Sequence, residues 1–143
     1  MKFLIQAIII CFAASSSAAA YDSREVGSAV GKYIGMAVAI DYFFDKTACP
    51  NLMFGMRTKN RRMQDFVIDD INKLLSPSDR IAFRRIKEPA IIKNMQRDGG
   101  EAFLRIYNSK KRANAKTACR DTQNFMMGYL SSGIAEFYTA ARR

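Results

Sequence analysis

Cys49 and Cys119 constrain the fold of this chain more than any other feature of its sequence. Cys49 follows one long apolar stretch with helical spacing, and Cys119 opens another. A bridge between them would lay the two helices antiparallel and tie one pair of their ends together. The pairing follows from what precedes it. MKFLIQAIIICFAASSSAAA, residues 1–20, has the form of a secretory signal: a basic Lys2, an apolar run from Phe3 to Ala13, and Ala18-Ala19-Ala20 as the small-residue cleavage site. The run falls short of the roughly 20 residues needed to span a bilayer. Ile8-Ile9-Ile10 before Cys11 does not suit lipoprotein processing. Cleavage after Ala20 removes Cys11, and two cysteines in an exported chain read as one disulfide. Closing a loop of this length stabilises the folded state by about 4 kcal/mol in the chain-entropy model. The expected compartment is the bacterial periplasm, with the extracellular space as the alternative.

The remaining residues, 21–143, have the size of one compact domain, and their patterning is helical throughout. A first helix is expected from Ser23 to Phe44, and Pro50 and Gly55 break the connection after it. A second, from Thr58 to Leu75, places Met63, Phe66, Val67, Ile71, Leu74 and Leu75 on one face. Ser76-Pro77-Ser78-Asp79 supplies an N-cap, a proline at the first helical position and an acid in the first turn of a short third helix. A fourth runs from Pro89 to a helix stop at Asp98-Gly99-Gly100, a fifth from Glu101 to Tyr107, and a long last one from Thr117 to Ala141. The expected fold is an all-α, single-domain bundle of about five helices. Its long first and last helices are antiparallel and joined by the disulfide.

GSAVGKYIGMAVAIDYFF, residues 27–44, resembles a membrane segment, with Gly27, Gly31 and Gly35 four apart and Ala39 continuing the row. Lys32 and Asp41 leave too short an uncharged stretch between them for a span. Small residues at this spacing instead form a shallow groove into which another backbone fits. Gly128, Ser132 and Gly133 of the last helix are the expected partner surface, with Gly35 and Gly133 at the same height above the disulfide. Replacing Gly31 or Gly35 with Leu is then expected to destabilise the fold. Asp41 falls within the apolar arc, between Val30, Ile34 and Ala37. A buried carboxylate needs a partner, and a basic residue of the second half, or water at the helix end, is expected to serve.

The chain contains no histidine. Ser-His-Asp and Cys-His catalysis and histidine-bearing zinc sites are therefore excluded. Two cysteines are too few for a thiolate metal cluster, and no redox, phosphate-loop or calcium-loop motif occurs. Asp69 and Asp70 are neighbours that point about 100° apart on a helix, so they cannot grip one glycosidic bond. The expectation is a non-enzymatic protein with no cofactor and no metal. A histidine-free hydrolase is the remote alternative.

Positive charge lies mostly in the second half: 14 basic and 6 acidic residues from Ser76 onward, against 8 and 7 from Tyr21 to Leu75. Arg105, Lys110, Lys111, Arg112, Lys116 and Arg120 form one cluster with no acid between Glu101 and Asp121. Arg80, Arg84, Arg85 and Lys87 form a second. Either alone reads as a solvated face; together they suggest a binding face for something negatively charged. Nucleic acid is set aside, because an exported protein rarely meets it and no stacking platform accompanies the cations.

Over Gly27 to Leu75, Tyr33-Ile34-Gly35, Cys49-Pro50 and the amphipathic second helix are loosely similar to small periplasmic immunity proteins that neutralise peptidoglycan-cutting effectors. No site residue follows from this similarity. The functional expectation is an exported protein that binds an acidic protein partner, as an inhibitor, immunity factor or accessory of an envelope or secretion system. The alternative is a basic surface binder of anionic lipid headgroups or cell-wall polymers.

Overall fold

A computed structural model of the chain describes residues 23–52, 62–84 and 88–142. The expected leader, residues 1–20, lies outside these, as does the expected start of the second helix at Thr58. The described residues form helices α1 (Ser23–Lys46), α2 (Met63–Leu74), α3 (Pro77–Phe83), α4 (Pro89–Met95), α5 (Glu101–Lys111) and α6 (Ala115–Ala141), with no strand among them. Because α4 runs into α5 without interruption, the bundle is five rods. Its long first and last helices are antiparallel and closed by a Cys49–Cys119 disulfide whose Cα atoms are 5.5 Å apart.

α1 is the axis of the bundle and touches every other helix. Val26, Ala29, Val30, Tyr33, Ile34 and Ala37 recur at the three- and four-residue steps that define one buried face. From Ala37 to Asp41 five successive residues are buried, so the second half of α1 is covered on nearly all sides. That explains its membrane-like composition: a helix apolar all round is one that other helices enclose. No helix among the described residues is long and apolar enough to cross a membrane.

α2 returns along α1, burying Met63, Val67 and Ile71 at four-residue steps. Ser76 then opens α3: the Asp79 amide donates to Ser76 Oγ at 3.3 Å, and Pro77 takes the first helical position. In α6 the Asn114 side chain caps the start by accepting from the Thr117 amide. Its buried stripe is Cys119, Thr122, Gln123, Met126, Leu130, Gly133 and Phe137. Gln123 holds the chain beyond the disulfide, donating to the Pro50 carbonyl at 2.9 Å and accepting from the Leu52 amide at 2.8 Å.

The expected helix stop at Asp98-Gly99-Gly100 is absent. Gln96–Gly100 forms a single π turn that carries α4 straight into α5, and Gly100 itself has ordinary right-handed helical angles, φ −65° and ψ −40°. These glycines supply space rather than an unusual backbone conformation. A Cβ on Gly99 would stand 2.8 Å from that of Ala39, and one on Gly100 would be driven into the Tyr42 ring. The bare backbone of the π turn therefore lies directly on α1, and the wider winding of α4–α5 is seated there.

The glycine row of α1 differs from its expected role. A Cβ on Gly27 or Gly31 would meet nothing within 4 Å, and the same holds for Gly128. Gly35 faces Met95 of α4, not α6. Of the four glycines assigned to helix packing, Gly133 alone approaches the opposite long helix closely. A Cβ there would lie 2.8 Å from Met36 Sδ and 3.8 Å from Tyr33 Cα. The α1–α6 contact is made by large side chains, with Tyr33 and Phe137 rings 5.6 Å apart, and not by two facing glycine grooves.

Candidate functional site

The buried polar groups hold the fold together. Asp41 is fully buried and receives the first two amides of α2, Met63 N–H on Oδ1 and Gln64 N–H on Oδ2, both at 2.9 Å. A helix start carries unsatisfied N–H groups and a partial positive charge, and α2 has no side-chain cap of its own. Asp41 supplies that cap from another helix. Among the described residues Arg62, from the first half of the chain, is a cationic neighbour at 3.6 Å. Arg62 also donates to Asp45, which together with the two nearby carboxylates raises the guanidinium pKa.

Asp70 ties three helices. Tyr33 of α1 donates to its Oδ2 at 2.9 Å and Tyr138 of α6 to its Oδ1 at 2.8 Å. Burial, then the hydrogen bond to Asp70, pushes the Tyr33 phenol well above its usual range. For Tyr138 the bond to Asp70 is the main cause of a smaller upward shift. Tyr42 is likewise raised, chiefly by donating to Glu101 at 2.7 Å across the π turn.

The described residues of the two basic clusters lie toward opposite ends of α1. α2 begins beside Asp41 and passes Tyr33 at Asp70, so its end, with α3, lies toward the Ser23 end of α1. Arg80 and Arg84 are exposed there, and Arg80 Nε donates to the Leu75 carbonyl at 3.1 Å, finishing α2. Arg85 and Lys87 lie outside the described residues. Arg105, Lys110, Lys111, Arg112, Lys116 and Arg120 are all exposed, and those from Lys110 onward gather at the disulfide end. The clusters are thus separated by most of the length of α1, roughly 30 Å. Within the second cluster Asp121 takes Lys110 at 3.0 Å and Arg120 at 3.5 Å, and its own pKa is lowered chiefly by Lys110. Lys111 lies over the Tyr107 ring, 5.6 Å from its centre. Much of this charge is engaged locally.

A different feature gathers exposed apolar surface. Between α1, the π turn, α5 and α6 runs a groove of about 490 Å³. Gly35, Ala39, Gly99 and Ala102 form its floor, Met36, Phe103, Ile106, Phe125 and Tyr129 its walls, and Lys32 and Arg105 its rim. Phe125 and Tyr129 are 43% and 50% exposed, yet they stack on each other, ring centres 4.8 Å apart, and Phe125 meets Phe103 edge-on at 6.3 Å. The small floor residues are what make it concave: the same close seating that puts Gly99 on Ala39 leaves nothing to fill the space above them. Of these residues Lys32, Gly35, Ala39, Gly99 and Arg105 drew attention in the sequence, for other reasons. Phe125 and Tyr129 carried a usable signal, two aromatics four apart and one position off the buried stripe of α6.

Among the described residues no three acidic or sulfur side chains gather as a metal site would require. No protein-family model matches the chain, and neither a curated protein nor a solved structure is significantly similar to it. The disulfide fits an oxidising compartment.

Proposed function

We propose that this chain is an exported, non-enzymatic binding protein of the periplasm that acts on a protein partner, as an inhibitor, immunity factor or accessory of an envelope system. The observation that carries this reading is the aromatic groove. Large exposed apolar groups in a protein of this size ordinarily lie scattered. Here Phe125 and Tyr129 are clustered over a concave apolar floor with cations at the rim, which is the composition of a protein-binding surface with an aromatic centre and a polar edge. Asp41 and Asp70 are engaged in joining helices. The alternative, a binder of anionic headgroups or cell-wall polymers, is weakened by the separation of the two basic clusters and by Asp121 within one of them.

Salt separates the two. The disulfide-bonded protein, immobilised and exposed to envelope extract of its source cells, is expected to retain a protein at about 0.15 M salt and still at about 1 M, where surface charge is screened beyond roughly 3 Å. Retention that disappears at high salt, combined with binding to anionic vesicles at low salt, would establish the alternative instead.

A further inference from the structure

We infer that the groove between α1, α5 and α6 receives an amphipathic helix of the partner, one that carries an acidic residue at each end of its apolar face. The inference rests on the protein-binding reading above. Three observations point to a helix and to its charges. The first is shape. The groove lies between packed helices, and its small floor residues Gly35, Ala39, Gly99 and Ala102 leave a concave apolar surface between the aromatic walls. The aromatic wall offers pockets for side chains spaced three and four apart, as in other helix-in-groove contacts.

The second is charge. Among the described residues lining the groove there are two cations and no carboxylate. α5 runs parallel to α1, with Gly99 beside Ala39 and Glu101 bonded to Tyr42. Lys32 and Arg105 therefore stand at opposite ends of the groove, roughly 15 to 20 Å apart along the bundle. A single-headed amphiphile uses one of them. An apolar helix of about three turns with an acid at either end uses both. Lys32 is paired with Glu136 at 2.8 Å, but both side chains are about half exposed, and such a pair contributes little and exchanges readily.

The third is the aromatic pair. Phe125 and Tyr129 stand one turn apart on α6 with about half of their surface exposed and their rings in contact, a spacing that the apolar face of one helix covers in a single contact.

The test uses the full disulfide-bonded protein and two synthetic helices of about four turns. They share a leucine–alanine face, and one has Glu and the other Lys at both ends of it. The Glu helix is expected to bind about tenfold more tightly than the Lys helix, with NMR shift changes confined to Lys32–Ala39, Ala102–Ile106 and Phe125–Tyr129. Arg105→Glu is expected to abolish that preference. Tyr129→Ala is expected to weaken binding about tenfold while leaving the melting temperature unchanged, since that side chain is half exposed, which separates loss of the groove wall from damage to the fold. Equal affinity of the two helices, indifference to Tyr129→Ala, or shifts on another face would overturn the inference. So would dodecyl phosphate displacing the Glu helix from the groove, since that makes it an amphiphile site. The underlying reading is judged separately. If a protein is still retained from extract at high salt by a Phe125→Asp, Tyr129→Asp variant, the reading stands and the groove is not its site. If the Glu helix binds as described but no protein is retained from extract, the groove stands and the reading falls.

Discussion

Gly27 and Gly31 of α1 and Gly99 and Gly100 of the π turn are two pairs of glycines in opposite circumstances. The first pair faces open space, and the second is pressed against Ala39 and Tyr42 so closely that no side chain fits. All four lie in helical backbone, so the difference is not one of conformation. It lies in what stands opposite. A glycine matters to a fold when another element occupies the place of its missing Cβ, and the spacing of glycines along one helix does not report that.

The comparison breaks most visibly at Gly100. Gly100→Val is compatible with the local backbone angles, so the whole effect comes from displacing Tyr42 and losing its bond to Glu101. Overpacking of this kind costs about 3 kcal/mol, which lowers the melting temperature by about 10 °C or more in a domain of this size. Thermal unfolding measures it. A variant that melts with the wild type would mean that α4–α5 is not seated on α1 as described.

Asp41 extends the comparison from a missing side chain to a charged one, since again the opposing group decides its role. Asp41→Ala leaves the Met63 and Gln64 amides without an acceptor, one of them fully buried, and is expected to cost about 2 to 3 kcal/mol. Asp41→Asn keeps one acceptor oxygen and is expected to recover part of the loss. Amide hydrogen exchange at Met63 and Gln64 should quicken in the alanine variant more than elsewhere in α2. Uniform quickening would assign the effect to general loosening instead of a lost cap.

These positions also show which parts of the fold the sequence encodes legibly. The cap at Ser76-Pro77, the long outer helices and the Cys49–Cys119 bridge depend on residue type and short-range order, and they were readable. Gly99-Gly100 was misread because a glycine pair signals a turn when conformation is the issue and a contact when space is. The two uses look alike in one dimension. Asp41 reads as needing a partner, but the bonds that give it its role are to backbone amides, and a backbone amide carries no letter in the sequence. Gln123, which holds Pro50 and Leu52, is silent for the same reason. The groove was not legible because α6 is apolar on several sides, with Met127, Tyr129 and Ile134 beside the buried stripe. Which aromatics stay outside depends on where α5 passes. The basic clusters looked like one face because sequence proximity hides the separation that α1 imposes.

The side of α1 that α2 and α6 cover gives a pH test of the same idea. There the contact is Tyr33 donating to Asp70, and burial with that bond raises its pKa. A tyrosine of the unfolded chain ionises near pH 10, so below that value both states hold the proton and the stabilisation is fully present. Above it the unfolded chain releases a proton that the folded state retains, and stability falls with rising pH. Between pH 10 and 11 the loss from this group is about 1 kcal/mol. Unfolding free energies measured across that interval should decline where those below pH 9 do not. A flat profile through pH 11 would show that Tyr33 is not held neutral by the fold.

The smallest effect is the most discriminating, because it has the opposite sign. Gly27 and Gly31 are in helical backbone with room for a methyl group, so Ala at either position adds no clash. It restores the conformational entropy and propensity that glycine forfeits, about 0.5 to 1 kcal/mol per site. The double substitution is expected to raise the melting temperature by about 5 °C. The same change at Gly100 lowers it, so identical chemistry at two helical glycines moves stability in opposite directions. If the double variant is destabilised, another part of the fold lies closer to the first turns of α1 than the open space there allows. If it is stabilised, the cost of these two glycines has no counterpart inside the fold, and their justification has to be sought in something that docks against that face.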